Sequence, residues 1–180
     1  MTKTFVLALA LILIAGGVRS RVGASIPPPC SAPQSHELDF WVGDWDVRNP
    51  AGKVEGTDRI TREFAGCVLE EHFLSDDRAS YGSSFAFYDE LHGQWHYTWV
   101  DNLGAFELLD GRRVGNSLVL SGWHIGRVHK HVVDRIAWTP LQRKVRQLWQ
   151  ASADGGRTWQ TVTDVYYWPR RSQISRPAAR

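Results

Sequence analysis

The feature that most limits what this chain can fold into is a long succession of short strand-like runs with no helical run among them. From residue 43 onward, apolar and polar residues alternate with the period of two that a half-buried strand requires. The breaks between the runs are short and rich in glycine, proline, asparagine and aspartate, which favour turns. The predicted strands cover residues 43–49, 53–63, 67–75, 81–90, 94–101, 104–110, 116–124, 128–138, 143–151 and 158–168.

Short connections favour antiparallel pairing between successive strands, and a meander that closes leaves no strand edge exposed. We therefore predict an all-β fold, an antiparallel up-and-down barrel of about ten strands formed by residues 37–170. Just before it, Ser31 and Gln34 have the spacing of a capping box, and Pro33 would lie in the first turn. A short N-terminal helix ending near Phe40 is thus expected to close one end of the barrel.

The N-terminus has the pattern of a leader for export. A lysine near the start precedes an apolar run from Phe5 to Val18, which is too short for a comfortable membrane span but suits a signal peptide. Small residues ending at Ala24 predict cleavage there, so residues 1–24 form the signal peptide and residues 25–36 a linker. We expect a periplasmic or extracellular protein with no membrane attachment after cleavage. The last ten residues, 171–180, are predicted to be a disordered tail.

Two cysteines, Cys30 and Cys67, remain in the exported chain. An even pair in an oxidising compartment indicates a disulfide, which would pin the N-terminal segment to the barrel. Closing a loop of this length contributes about 3–4 kcal/mol in the chain-entropy treatment. Two free buried thiols are the alternative.

The charge of the chain gives no indication of a nucleic-acid partner. The formal net charge is +2, from 21 basic and 19 acidic residues, but three of the basic residues belong to the leader. Without Lys3, Arg19 and Arg21 the balance is −1, and no basic run is interleaved with aromatic residues. We expect a monomer that does not bind nucleic acid.

Seven segments spread over residues 37–170 carry a resemblance to a known family. They are Asp39-Phe40-Trp41-Val42-Gly43-Asp44-Trp45-Asp46-Val47, Gly66-Cys67-Val68-Leu69-Glu70-Glu71, Tyr88-Asp89, Trp95-His96-Tyr97-Thr98-Trp99-Val100-Asp101, Arg135-Ile136-Ala137-Trp138, Val145-Arg146-Gln147 and Ser152-Ala153-Asp154-Gly155-Gly156-Arg157-Thr158-Trp159. Together they resemble a bacterial family of exported lipocalin-like proteins catalogued as a domain of unknown function. The family pattern usually has glutamine where this chain has Tyr97. The resemblance implies a calycin-type barrel and no established activity.

The G-x-W motif at Gly43-Asp44-Trp45 is similar to the one that opens lipocalin-like barrels. There the tryptophan closes the floor of the barrel under a basic side chain from a late strand. The resemblance therefore implies that Trp45 is structural, with Arg170 as the first candidate for its basic partner and Arg146 as the second. The segment from Ser152 to Trp159 also matches the Asp-box, S-x-D-x-G-x-T-W, which we interpret as a structural turn because it occurs once, without a repeat period.

Alternation within one strand predicts which side chains line the interior. Trp95, Tyr97 and Trp99 share a face that is too aromatic to be exposed, so we expect them to point inward. Charged residues interrupt other apolar strands, at Glu71, Arg135 and Arg146, and Gln147 follows the last of these. The predicted ligand-binding residues are Glu71, Trp95, Tyr97, Trp99, Arg135, Arg146 and Gln147.

The two arginines allow two interpretations. In the first, Arg135 or Arg146 lies beside Tyr97 and Trp99 and holds the anionic head of an amphipathic ligand, whose body packs on the aromatic rings. In the second, both arginines face outward and pair with surface acids. Spacing alone does not decide whether Val145, Gln147 and Trp149 or the intervening residues face inward, and the aromatic side chains could also fill a solid core.

No motif of a nucleophile, a phosphate loop or a zinc protease is present, so we assign no catalytic residue and no cofactor. His129 and His131 would share a strand face but lack a third ligand nearby, so no metal site is predicted. The main hypothesis is an exported barrel that binds a small apolar or amphipathic molecule. The alternatives are an isomerase or hydrolase that uses Glu71 in the same cavity, and a haem-binding barrel, which needs an inward histidine near the mouth.

Overall fold

The structure, a computed structural model, describes residues 28–125 and 131–170. The predicted signal peptide, the predicted tail and His129 lie outside these residues. Within the described part, no helix has the length and apolar character needed to cross a membrane.

Ten antiparallel strands form a closed up-and-down barrel, as the sequence predicts. Each strand pairs with its neighbours in sequence, and the first pairs with the last. The strands are β1 (Gly43–Arg48), β2 (Val54–Glu63), β3 (Val68–Ser75), β4 (Tyr81–Asp89), β5 (Gln94–Asp101), β6 (Phe106–Val114), β7 (Ser117–Ile125), β8 (His131–Leu141), β9 (Lys144–Ser152) and β10 (Gln160–Pro169). Within the described residues, closure leaves no barrel strand with a free edge.

The largest boundary difference concerns β6, which was expected to end at residue 110 but continues to Val114. Gly111 suggested a turn, yet it lies inside the strand and pairs with Trp95. A Cβ atom at Gly111 would lie 2.2 Å from the backbone oxygen of Val119 on β7. The glycine therefore permits a close approach of two strands and does not end one of them.

Two short 3-10 turns, and no longer helix, close one end of the barrel. They comprise Pro33–His36 and Asp39–Trp41. The predicted capping box does not form, because the N-cap is Ala32, which has no side chain to accept a hydrogen bond. Leu38 and Trp41 are both fully buried in the core, so this segment acts as the floor of the barrel.

The predicted disulfide is present. Cys30 and Cys67 are joined, with their Cα atoms 5.2 Å apart and their positions separated by 37 in the sequence. Cys67 directly precedes β3, so the bond ties the segment that carries the floor to the barrel wall.

Trp45 packs at the floor, but its partners are aromatic and not basic. Its Nε1 donates a hydrogen bond of 2.8 Å to the backbone oxygen of Trp41, and its ring meets the edge of Tyr167 with centroids 6.2 Å apart. The ring of Trp41 in turn lies 5.5 Å from that of Trp138. Gly43 supports this arrangement, because it has a φ of +150° and a Cβ there would lie 3.3 Å from the Trp45 ring.

The expected basic partner of Trp45 is corrected by the structure. The Arg170 side chain is 57% exposed, and its Nε lies 3.7 Å from Asp46 Oδ1 on the outer face of β1. Arg146 pairs with Asp164, also away from Trp45. Successive residues of a strand alternate between the two faces, so an arginine that pairs with an outward acid cannot also reach the floor.

Replacing Trp45 should measurably destabilise the barrel. The Trp45→Ala variant should lose about 3–5 kcal/mol of unfolding free energy, because it removes a buried ring and leaves a cavity at the floor. Trp45→Phe keeps an aromatic ring but loses the hydrogen bond to Trp41. Loss of that hydrogen bond should lower the unfolding free energy by about 1 kcal/mol, in addition to the effect of the smaller ring on packing. Urea denaturation monitored by circular dichroism gives both values.

The matched control for this experiment is Trp123→Ala, since the Trp123 side chain is 67% exposed. This control should change the stability by less than about 1 kcal/mol. Equal losses for Trp45→Ala and Trp123→Ala would show that Trp45 has no special structural role.

Candidate functional site

A cavity of about 390 Å³ occupies the half of the barrel opposite the floor. Its lining includes Ser75 at the end of β3, Ser80 just before β4 and Asp101 at the end of β5, which lie at the same barrel end in an antiparallel sheet. The floor tryptophans Trp95 and Trp138 lie at the other end and are buried. The interior is therefore packed at the floor and open towards the mouth.

Aromatic side chains form much of the cavity wall. Phe73, Tyr97, Trp99, Trp149 and Tyr167 all line it. The rings of Phe73 and Trp99 lie 6.4 Å apart and are tilted against each other. These rings offer an apolar surface to a ligand and π faces to a cation.

Carboxylates are the only charged groups in the lining, as far as the described residues go. Four of the sixteen lining residues are acidic, namely Glu55, Glu71, Asp101 and Glu107, and none is lysine or arginine. The cavity therefore has the opposite charge from the one that the sequence suggested.

Both arginines lie on the outer face of the barrel. Arg146 makes two hydrogen bonds of 2.8 Å to the carboxylate of Asp164. Arg135 lies 4.0 Å above the ring of Trp159 and donates to Gln150 Oε1 at 2.7 Å. The expectation that one of them stands in the interior is wrong, whereas the outward interpretation agrees with the structure.

The physical reason is the alternation of side chains along each strand. On β9, Gln147 and Trp149 line the cavity, which places Arg146 outside. On β8, Ile136 lines the cavity, which places Arg135 outside. On β9 the alternation separates Val145, Gln147 and Trp149 from the intervening residues, but spacing alone does not show which of the two sets faces inward.

The other predicted ligand-binding residues lie inside the barrel. Glu71, Tyr97, Trp99 and Gln147 line the cavity. Trp95 lies deeper, at 2% exposure, and its Nε1 donates to Glu37 Oε2 at 3.3 Å. Their role in ligand binding stays a prediction.

A buried polar network forms the bottom of the cavity around Glu71, which is only 3% exposed. Tyr97 donates its hydroxyl to Glu71 Oε2 at 3.1 Å, and Ser84 donates its hydroxyl to the same oxygen. Tyr167 donates to Gln147 Oε1 at 3.2 Å. Burial raises the pKa of the Glu71 carboxyl, which these hydrogen bonds only partly offset.

Asp58 is the second acid of this network, and sequence reasoning missed it. It is 3% exposed, and it faces the same interior as Glu71 because Ile60, two residues on, pairs with Glu71 across β2 and β3. Burial, followed by the charge of Glu71, raises the pKa of Asp58 well above its usual range. Neither Asp58 oxygen makes a hydrogen bond of normal geometry with a described residue, although the Arg59 amide and the Tyr167 hydroxyl are close enough to lower the pKa of Asp58 in part. The pair is therefore satisfied when Asp58 carries a proton and donates it to Glu71.

A protonated Asp58 makes the stability of the barrel depend on pH. Its pKa is higher in the folded chain than its ordinary value of 3.8, so the folded state binds more protons once the pH exceeds about 4. Stability should then fall as the pH rises, with a slope of at most about 1.4 kcal/mol per pH unit from this group. Asp58→Asn imitates the protonated acid and should flatten that part of the profile.

Urea denaturation from about pH 5 to about pH 8 measures this effect. The advantage of Asp58→Asn over the wild type should grow with pH, while the outer-face control Asp44→Asn should follow the wild type. Parallel profiles for the wild type and Asp58→Asn would contradict the protonated pair.

A second polar group lies where β6, β7 and β8 approach the mouth. Glu107, His124 and Asp134 have potential ligand atoms that all lie within 4.8 Å of one another. His124 Nδ1 is 2.7 Å from Asp134 Oδ2, and Trp149 Nε1 donates to Asp134 Oδ1 at 2.7 Å. Burial and then the charge of Asp134 raise the pKa of Glu107 to about 7.

This group was not predicted, although a signal existed. His124 continues the inward alternation of Leu118, Leu120 and Gly122 along β7. It also occupies the kind of position that the haem hypothesis requires, but its Nδ1 faces the Asp134 carboxylate. His131, of the histidine pair considered earlier, is exposed and lies against the ring of Trp123.

Comparison with protein-family models and with curated proteins gave no match. The closed ten-stranded antiparallel barrel is compatible with a calycin-like fold. The likeness to exported lipocalin-like proteins therefore rests on the sequence motifs, and the function has to be argued from the cavity itself.

Proposed function

We propose that this protein binds a small molecule in the barrel cavity. We propose further that the ligand combines an apolar or aromatic body with a positively charged or hydrogen-bond-donating group. The observation that carries the proposal is the lining, in which aromatic rings and four carboxylates occur together without a basic side chain among the described residues.

The size of the cavity supports binding of a compact ligand. A volume of about 390 Å³ falls in the lower part of the usual range for small-molecule sites, about 300–1,000 Å³. The walls are rigid because Phe73, Trp99 and their neighbours lie on paired strands and not on loops.

The acids give the ligand an orientation. Glu71 lies at the bottom of the cavity, and Glu55 and Asp101 lie nearer the mouth. An ammonium or amide group at the bottom would donate to Glu71, and the aromatic walls would cover the apolar part. An anionic head, in contrast, would meet carboxylates with no cation to balance them.

We also propose that the protein acts as a monomer outside the cytoplasm. The leader-like N-terminus and the Cys30–Cys67 disulfide support an oxidising compartment. The closed barrel supports a monomer, because the described strands offer no free edge for pairing with a second chain.

A pair of naphthalene probes that differ only in charge tests the ligand class. The probe with a trimethylammonium group should quench tryptophan emission and bind at least about tenfold more tightly than the sulfonate probe, since a hydrogen-bonded or charged contact contributes about 1.5–3 kcal/mol. Glu71→Gln should remove most of this preference. Arg146→Ala is the matched control on the outer face and should leave both affinities unchanged.

Three outcomes would contradict the proposal. They are tighter binding of the sulfonate probe, loss of binding in a folded Arg146→Ala variant, and no binding of either probe. Circular dichroism of each variant confirms that the barrel remains folded.

A second candidate is acid–base catalysis in the same cavity, and the Asp58–Glu71 pair favours it. Two buried carboxyl groups that share one proton, one of which lines the bottom of the cavity, are suited to move a proton to or from a bound molecule. Tyr97, whose hydroxyl donates to Glu71, could position that carboxylate.

A benzisoxazole, which opens when a carboxylate removes its ring proton, distinguishes catalysis from binding. Catalysis predicts turnover above the rate of free carboxylate and its loss in Glu71→Gln, with the binding of the compound retained. Turnover equal to that of acetate would leave simple binding as the function.

A further inference from the structure

We propose that Glu107, His124 and Asp134 bind a divalent first-row transition-metal ion at the mouth of the barrel. The three side chains supply two carboxylate oxygens and one imidazole nitrogen from three consecutive strands, with the potential ligand atoms within 4.8 Å of one another. The site goes beyond the proposed binding of an organic ligand and does not depend on it.

The contact between His124 and Asp134 has the distance of a hydrogen bond, but its angles are not those of a hydrogen bond. Nδ1 and Oδ2 are 2.7 Å apart, yet neither atom has a hydrogen-bond partner among the described residues. Two atoms that ligate one ion at about 2.0–2.2 Å also lie close together, and their lone pairs point at the ion and not at each other. At 2.7 Å the two atoms are at the distance of a hydrogen bond or ion pair, and an ion would have to part them by a few tenths of an ångström to be ligated by both.

The burial of Asp134 supplies an independent reason for a ligand. Asp134 is 1% exposed, and its Oδ2 points into the cluster, where it lies 2.7 Å from His124 Nδ1 but makes no hydrogen bond of normal geometry with a described residue. A buried carboxylate oxygen without a partner costs free energy that a chain normally avoids. A bound cation would satisfy this oxygen and the imidazole nitrogen together.

The other oxygen of Asp134 is already held in place. Trp149 Nε1 donates to Oδ1 at 2.7 Å, which fixes the plane of the carboxylate and leaves Oδ2 free towards the cluster. Supporting hydrogen bonds of this kind orient metal ligands in proteins and raise their affinity for the ion.

One glycine, Gly122, allows the strands that carry this site to lie close together. Gly122 pairs with Asp134 across β7 and β8, and a Cβ at Gly122 would lie 2.1 Å from the backbone oxygen of Leu108. Because Gly122 has no side chain, β6 and β7 can approach each other closely at Leu108 and Gly122. Leu108 is adjacent to Glu107 on β6, and Gly122 is two residues from His124 on β7. A larger residue at this position would push the two strands apart.

The ligand set indicates the class of ion. One imidazole and two carboxylates suit Zn²⁺, Mn²⁺ or Fe²⁺, whereas Ca²⁺ and Mg²⁺ prefer oxygen alone. The two negative charges of the acids would be neutralised by one divalent ion. Three protein ligands leave a coordination position open, and because Glu107 also lines the cavity, this position is accessible to a molecule bound there.

Isothermal titration of the tag-free protein with ZnCl₂ and with MnCl₂, after dialysis against a chelator, tests the site directly. We expect one ion per chain with a dissociation constant in the micromolar range or tighter for at least one of the two metals. Glu107→Gln and His124→Asn should each weaken binding at least about tenfold, and Trp149→Phe should weaken it about tenfold by releasing Asp134.

The matched control is His96→Asn. His96 also lies between two acids, with Nδ1 2.5 Å from Asp110 and Nε2 3.5 Å from Asp89, but on the outer face of β5. This variant should bind the ion like the wild type. Unchanged binding in a folded His124→Asn variant, an equal loss in His96→Asn, or no binding of either metal would overturn the proposal.

Cobalt provides a second readout that does not depend on the stability of the variants. Co²⁺ bound to the site should give visible d–d absorption whose intensity reports its geometry, and its titration should quench part of the tryptophan emission, because Trp149 contacts Asp134. Absence of both signals at saturating cobalt would also count against the site. Because no organic probe enters these measurements, their outcome is separate from that of the cavity proposal.

Discussion

The pairing of β1 with β10 is the contact on which the rest of the structure depends. Four residue pairs, from Trp45 with Pro169 to Arg48 with Tyr166, convert a meander of strands into a closed wall. Once the wall is closed, every strand has two neighbours, and the alternation of side chains divides the chain into an interior set and an exterior set. The charge of the cavity, the outward arginines and the cluster at the mouth all follow from that division.

The interior is divided again along the barrel axis, and the two halves have different physical characters. At the floor, Trp41, Trp95 and Trp138 are almost fully buried and fill the space between the strands. Above the floor, the buried acids Asp58 and Asp134 stand where apolar groups would be expected, and burying a carboxylate has a desolvation cost that an apolar side chain does not have. A chain that holds buried carboxylates beside an open cavity sacrifices stability there, which is typical of sites that bind or react.

The sequence predicted the strands well because their signal is local. Alternation and turn residues lie within one run, so the barrel and the inward position of Tyr97 could be inferred. The site was harder, because it depends on contacts between strands. Arg146 lies among apolar residues in sequence, and only the neighbouring strands decide that Gln147 points inward in its place. Glu107 and Asp134 lie on different strands, and the register between the strands brings them together. A spacing rule within one strand does not predict that register.

The two proposed sites constrain each other through charge. Without a metal ion, the carboxylates of Glu107 and Asp134 add to those deeper in the cavity, and burial together with the charge of Asp134 raises the pKa of Glu107. With a divalent ion bound, these two charges would be neutralised. Glu71 at the bottom would then be the main acid available to contact a ligand. A molecule that spans the cavity would then place its donor group against Glu71 and an oxygen or nitrogen lone pair at the ion. If both sites are occupied as proposed, the cavity would select for a molecule with a donor at one end and a metal-binding group at the other over a simple amphiphile with one polar end.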